Sequence, residues 1–347
     1  MRAYVLDPTS QDSASAVRGI GRYMHILHEY GENIFTFVTN PAEIPSNSIM
    51  INPFLNITQP PTLIKRIAAV QIAVIHDLIP LKYPQHFPLG VRGTLQVWYH
   101  RFLTHIYDHI ITDSEASKND IISILHIPAE KISVIYPTVP SVFGASQEIP
   151  QPALLPQKYC LYVGDATWNK NIVTLAKAIQ LGSIQCVCVG KIFQDIAPMG
   201  NQSHPSHPWQ KELWEFAHST KDDTRFLFPG YVSDSDLISY YRFSSCNILI
   251  SHDEGFGFSY LEASSQQCPS LLSDIPVFHE IAGDSALYVD QNNPQEIAHL
   301  IMQLSTDTKL HDQYAQKTYE RGKTFTSGRM QTQFSALIDT LANQKPL

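Results

Sequence analysis

A chain of 347 residues with 44% hydrophobic content is long enough for two domains, each with its own core, which excludes a single small module. Its formal net charge of -8, from 24 Lys and Arg against 32 Asp and Glu, argues against a nucleic-acid partner, because phosphate contacts need clustered cations. Five cysteines, none in a Cys-x-x-Cys pair, read as buried reduced thiols; with no leader-like start and no uncharged apolar run of about 18 residues, a soluble cytoplasmic protein is expected, resting at most on a membrane surface.

Short apolar runs alternate with helical patterns along the chain. The first half carries AYVL from Ala3, NIFTFV from Asn33, QIAVIHD from Gln71, HIITDS from His109 and KISVIYP from Lys131. The second carries YCLYVG from Tyr159, IQCVCVG from Ile184, RFLFPG from Arg225, CNILIS from Cys246, SLLSD from Ser270 and ALYVD from Ala286. Runs closed by Gly, Asp, Ser or Pro and followed by a periodic segment are what buried parallel strands of α/β units look like. The fold class is therefore α/β, with two open parallel sheets. Pro137, Pro140, Pro150, Pro152 and Pro156 place a break between them. The expected organisation is a first domain over residues 1–140, a Pro-rich linker over 141–157 and a second domain over 158–347. The second domain would end in two helices broken near Thr326 to Gly328, the last packing outside the second sheet.

In open α/β sheets ligands bind beyond the carboxyl ends of the strands, so the residues after each strand matter most. Gly19 and Gly21 after the first strand suggest a dinucleotide loop, but Met24 stands where the third glycine belongs and the loop from Asp7 to Arg18 is too long. His76 and Asp77 follow QIAVI, where a ligand contact and a histidine satisfied at a strand end are about equally good readings. His100, His105 and His109 recur near helical spacing without a His-Glu-x-x-His pattern, which suits a solvated or acceptor-facing helix side better than zinc. In the same region Lys82, Arg92 and Arg101 are interleaved with Trp98, Tyr99 and Phe102: packing accounts for most of the aromatics, and a membrane-facing surface, or one for a lipid-linked ligand, is the sharper alternative. Asp234 and Asp236 form an Asp-x-Asp at the start of a helix, where capping explains them better than a divalent cation, and no metal is required.

The stretch SHDEGFGFSYLEAS from Ser251 follows a strand and opens a helix. Gly255 and Gly257 let backbone amides approach a ligand closely, and a helix start favours an anion such as phosphate. Glu262, one turn into the helix, can accept two hydrogen bonds from a vicinal diol such as ribose, while Glu254 faces whatever lies beyond the phosphate. The plainer reading is a strand-ending glycine and a solvated helix glutamate. Each residue alone fits it; the combined spacing does not.

These segments resemble the retaining glycosyltransferase family 4, two-domain GT-B enzymes that move a sugar from a nucleotide donor to an acceptor. EGFGFSYLEA resembles the family's Glu-x7-Glu motif, GIGRY at Gly19 to Tyr23 its N-terminal glycine loop, and VIHDLIPLKYP at Val74 to Pro84 its His-Asp segment. DSEASKNDI at Asp113 to Ile121 and YVGDATWNKNI at Tyr162 to Ile172 follow in the family order. The wording around His76 resembles bacterial enzymes of surface polysaccharide synthesis, often mannosyltransferases.

The resemblance implies that Glu262 holds the ribose hydroxyls, that Glu254 and His76 lie by the donor sugar, and that the amides of Gly255, Phe256, Gly257 and Phe258 face sugar and diphosphate. Lys170 matches the lysine that neutralises the diphosphate, Gly164 the glycine of the same loop, and the turn at Gly230 and Tyr231 is expected to meet the base. Asp165 stands where many members carry an arginine, with Arg18 or Arg22 as replacement cations. The implied activity is retaining, metal-independent and cofactor-free transfer of a hexose from a GDP-mannose or UDP-glucose type donor to a saccharide or lipid-linked acceptor, in a cleft between two Rossmann-like domains. A sugar-nucleotide epimerase or phosphorylase of the same fold, or a non-catalytic nucleotide-sugar-binding subunit, are the alternatives.

Overall fold

The computed structural model describes residues 2–7, 19–144, 155–205 and 208–344. The chain divides into two compact units, Met1–Pro140 with Phe325–Leu347, and Ser141–Thr324.

The first unit contains β1 (Ala3–Leu6), α1 (Gly19–Gly31), β2 (Phe35–Val38), β3 (Ile49–Asn52), β4 (Val70–Val74), α2 (Ile79–Lys82) and α3 (Gly90–Leu103). It continues with β5 (His109–Thr112), α4 (Glu115–Leu125) and β6 (Ile132–Val134). Its six strands are parallel in the order β2-β1-β3-β4-β5-β6. All five residues of β4 are buried, as a parallel strand covered on both faces requires. One strand, β3, was not among the expected runs: IMIN is only four residues and stops at Pro53, so it carries too little pattern to stand out, yet it lies inside the sheet and is buried throughout.

The second unit contains β7 (Tyr159–Val163), α5 (Ile172–Leu181), β8 (Gln185–Val189), α6 (Ile196–Gly200), α7 (Lys211–Thr220), β9 (Phe226–Gly230) and α8 (Asp234–Phe243). β10 (Cys246–Leu249), α9 (Phe258–Ser265), β11 (Ser270–Ser273), α10 (Pro276–Ala282), β12 (Leu287–Val289), α11 (Pro294–Thr306) and α12 (Thr308–Gly322) complete it. The sheet order is β12-β11-β10-β7-β8-β9, all parallel. Counting its six strands from β7, the spatial order is 3-2-1-4-5-6, the dinucleotide-fold order, whose strand sequence reverses between β7 and β10. The crevice outside the carboxyl ends of those two strands is where such a sheet takes a ligand.

Two expectations on domain limits are corrected. The final helix, α13 (Ser327–Gln344), belongs to the first unit rather than to the second sheet. Its buried residues Met330, Phe334, Ile338 and Leu341 form one face; Phe334 meets Phe35 edge to face at 5.3 Å, and Gln331 Nε2 donates to the Tyr30 carbonyl at 2.6 Å. An apolar stripe states that a helix is covered, not by which sheet, so its sequence suits either unit equally. The expected linker also begins too early: Ser141–Gly144 form a 3-10 turn of the second unit, with Phe143 buried and its carbonyl accepting from Gln266 Nε2 at 2.6 Å. Residues 145–154 lie outside those described.

Candidate nucleotide-sugar site

At the β7–β10 reversal the chain brings together residues far apart in sequence. After β7 a loop leads through Gly164 to a 3-10 turn over Trp168–Lys170, and Asn171, in the left-handed conformation at φ 55°, turns it into α5. After β10 the chain runs from Ile250 to Gly257 and enters α9. Lys170 Nζ donates to Glu254 Oε1 at 2.6 Å, and Ser251 Oγ donates to the same oxygen at 2.7 Å. The two loops are stitched by backbone as well: His252 N donates to the Asn169 carbonyl at 2.7 Å, Asn169 Nδ2 to the Asp253 carbonyl at 3.2 Å, and Asn171 Nδ2 to the Ile250 carbonyl at 3.1 Å. The Trp168 and His252 rings stack at 4.6 Å. Glu254 is only 8% exposed, so its carboxylate depends on these donors to remain in so dry a place.

Gly257 is the N-cap of α9 and sits at φ 102°, where an L side chain is strained. A Cβ there would lie 3.0 Å from Phe278 Cε1 and 3.3 Å from Ile281 Cδ1. Tyr260 N is already bonded to the Gly257 carbonyl at 3.0 Å, and the cap offers no side-chain acceptor, so the Phe258 and Ser259 amides are the ones left for a partner from outside the helix, as in anion sites. In that first turn the buried Ser259 Oγ has no hydrogen-bond partner among the described residues. Glu262, expected by the plainer reading to be solvated, is 4% exposed and accepts from Tyr241 Oη of α8 at 3.0 Å. Phe256 is buried and meets Phe258 edge to face at 5.6 Å, while Gly255 is buried beside them.

The glycines that close neighbouring strands crowd one another. A Cβ on Gly190, which ends β8, would lie 2.3 Å from the Gly164 carbonyl, and Gly190 N donates to the Gly230 carbonyl at 2.9 Å. Gly164, Gly190 and Gly230 therefore make a closely packed floor beyond β7, β8 and β9, where a Cβ on Gly230 would lie 2.6 Å from Gln194 Cγ, with Tyr231 57% exposed at its end. Asp165 turns inward to its own loop: Oδ1 accepts from Ala166 N at 2.8 Å, and its carbonyl accepts from Tyr162 Oη at 2.5 Å. Burial, followed by the charges of Glu254 and Asp165, pushes the Tyr162 phenol well above its ordinary value, so it stays a donor.

The first unit holds the other predicted residues. Gly19 and Gly21 lie in the opening turn of α1 rather than in a loop; residues 8–18, Arg18 among them, fall outside those described, and Arg22 is half-buried on α1. His76, just beyond β4, places Nδ1 2.5 Å from Asp113 Oδ2 and Nε2 3.1 Å from the Pro53 carbonyl. Both partners are acceptors, so the ring satisfies them together only when doubly protonated. Burial, the largest single influence, opposes that charge, but Asp113, joined by Asp77 and the Pro53 carbonyl, outweighs it and holds the imidazole above its usual range. Tyr23 packs edge-on to the ring at 4.7 Å.

His100, His105 and His109 do not share a helix face: His100 is buried on α3 with Nε2 2.8 Å from the Gln59 carbonyl, His105 is exposed, and His109 lies on β5, 2.8 Å from Ser133 Oγ. Ser233 caps α8 by accepting from Asp236 N at 3.2 Å, which accounts for the Asp-x-Asp. Among the described residues no group of three or more His, Cys, Asp or Glu is placed to hold a metal ion. Ser251, Asn169, Tyr241, Gly190 and Asp113 escaped sequence reasoning. Gly190 alone left a signal, as the middle one of three glycines that close neighbouring strands.

Comparison with known proteins gives the family and the fold. Residues 146–321 match the family model described as Glycosyl transferases group 1, and residues 59–141 match that of Glycosyltransferase Family 4. The O-antigen chain mannosyltransferase RfbU of Salmonella typhimurium is 30% identical over 228 residues, covering 64% of this chain and 57% of that protein. The chain thus spans little more than half the length of that relative. Among solved structures, sucrose-phosphate synthase from Thermosynechococcus elongatus superposes with a TM-score of 0.72 at 14% identity, covering 99% of this chain and 100% of the other. Anabaena HepE in complex with UDP and glucose superposes at 0.68 with 12% identity, covering 98% and 100%.

Proposed function

Because the chain belongs to the group 1 glycosyltransferases, of GT-B fold, we propose that it transfers a hexose from a nucleoside diphosphate sugar to a saccharide or lipid-linked saccharide acceptor, with retention of anomeric configuration. The observation that carries the reading is the Lys170–Glu254 pair at the strand-order reversal, beside a helix start capped by glycine alone. The α9 amides and Lys170 take the diphosphate, Glu262 the ribose hydroxyls, and Glu254 the donor hexose. Tyr231 and the glycine floor lie under the base, and the first unit takes the acceptor. The bond from the anomeric carbon to the phosphate oxygen breaks as the acceptor oxygen attacks from the same face, and the acceptor proton passes to the departing phosphate. Preorganised amides and a lysine stabilise that charge without reorganising at the moment of transfer.

GDP-mannose is the donor of choice, since the similar curated proteins are described as O-antigen mannosyltransferases. The test is incubation with GDP-mannose, UDP-glucose and dTDP-sugars, with and without an O-antigen-type acceptor, reading products by mass spectrometry and anomeric coupling. An α-linked product from an α-donor supports the reading. Isomerised donor without acceptor points to an epimerase, and binding without turnover to a non-catalytic subunit.

A further inference from the structure

Most large apolar side chains of this protein are buried, yet α3 exposes a row of them. Val91 is 80% exposed, Leu95 61%, Trp98 70% and Phe102 70%. At about 100° per residue these four positions fall within an arc of roughly 60° on the helix. Arg92 and Arg101 lie on either flank of that arc, each about 90° from its centre, with Tyr99 beside Arg92. The opposite side of α3 is the attached one, where Gly93, His100 and Leu103 are buried. Between Asp77 and Asp108 the sequence holds no acidic residue, although the whole chain carries a net charge of -8. Lys82 is already paired with Asp120 at 2.9 Å, and Arg101 Nη2 touches the Ile124 carbonyl at 3.2 Å, so the guanidinium of Arg101 keeps further donors.

We propose that α3 docks this protein on an anionic lipid bilayer, with Val91, Leu95, Trp98 and Phe102 entering the boundary between headgroups and acyl chains and Arg92 and Arg101 resting on lipid phosphates. Charge complementarity selects this occupant. A second copy seated on the same face would oppose Arg92 and Arg101 with their own counterparts, and α3 offers no carboxylate to relieve them. A bilayer supplies both the apolar depth and the anions. Trp98 and Tyr99 add amphipathic rings of the kind that settle at that interface. No described helix is long and apolar enough to cross a membrane, so the contact is a surface one.

The test is cosedimentation with phosphatidylcholine vesicles and with phosphatidylcholine–phosphatidylglycerol vesicles, over a salt series. Wild type should bind the mixed vesicles, weakly or not at all the neutral ones, and lose binding as salt rises. The double variant Leu95→Asp/Trp98→Asp should bind about tenfold more weakly or less, with an unchanged melting temperature because both positions are exposed. Arg92→Glu should reduce binding only to the anionic vesicles, and Trp98→Phe should abolish a vesicle-induced blue shift in tryptophan emission. Equal binding by wild type and the double variant overturns the proposal. So does a wild-type dimer that the double variant dissolves while neither binds vesicles. No donor or acceptor is present in the assay, so its failure leaves the nucleotide site untouched.

Discussion

Lys170 Nζ lies 2.6 Å from Glu254 Oε1 although 84 residues separate the two, and the pair joins the loops that follow β7 and β10. A lysine at the start of a helix opposes the helix dipole, and Glu254 answers that misfit within the protein. The pair is buried on the carboxylate side, with Glu254's side chain 7% exposed against 23% for Lys170. Lys170→Met should therefore cost about 1–3 kcal/mol of stability, because it strips the cation from a dry carboxylate that, among the described residues, keeps the Ser251 hydroxyl as its donor. Glu254→Gln should cost less, and the double variant less than the sum. Urea unfolding of the four proteins gives the coupling directly; strict additivity would show that the two charges do not sense each other. Turnover should fall by about a hundredfold or more in both single variants.

Gly257→Ala tests the helix start. The left-handed φ of 102° and the contact with Phe278 at 3.0 Å both oppose a methyl group. The expected loss is about 1–3 kcal/mol in denaturant unfolding, with weaker nucleoside diphosphate binding by calorimetry. A variant as stable as wild type would mean that the turn tolerates a Cβ and that the glycine has another reason.

Tyr241 is the residue that orients Glu262. Removing its hydroxyl in Tyr241→Phe deletes a 3.0 Å hydrogen bond, worth about 0.5–1.5 kcal/mol, and should weaken donor binding by about three- to tenfold. Glu262→Ala should weaken it far more. Equal affinities in Tyr241→Phe and wild type would show that the carboxylate keeps its place unaided.

His76 gives the stability a pH signature. Asp113 holds the folded imidazole above its unfolded value of about 6.5, so the folded state binds the extra proton between those two values. The stabilisation is complete below about pH 6.5 and is lost as pH rises through the raised value. Stability should accordingly differ most between wild type and Asp113→Asn near pH 5.5, and the gap should narrow toward pH 8.5. A gap that widens with pH would reverse the assignment of charge to His76.

Much of this architecture was legible before any coordinates. All six strands of the second sheet stood out because parallel strands are continuous apolar runs closed by turn residues, and Glu254, Gly257 and Glu262 were marked by spacing. β3 was lost because four residues before a proline carry no period, and α13 was assigned to the wrong sheet because amphipathicity names no partner. Lys170 was legible as a cation, but its pairing with Glu254 was not, since strand order decides which loops meet and a linear sequence does not display that order. His76 was singled out at the end of its strand; that both ring nitrogens are engaged, by Asp113 and the Pro53 carbonyl, required three dimensions.

Crystals soaked with GDP, and separately with UDP, test the central assignment most directly. The account predicts diphosphate density against the α9 amides and Lys170, with ribose hydroxyls on Glu262. Diphosphate density at any other place on the chain, or none at saturating nucleotide, would contradict it.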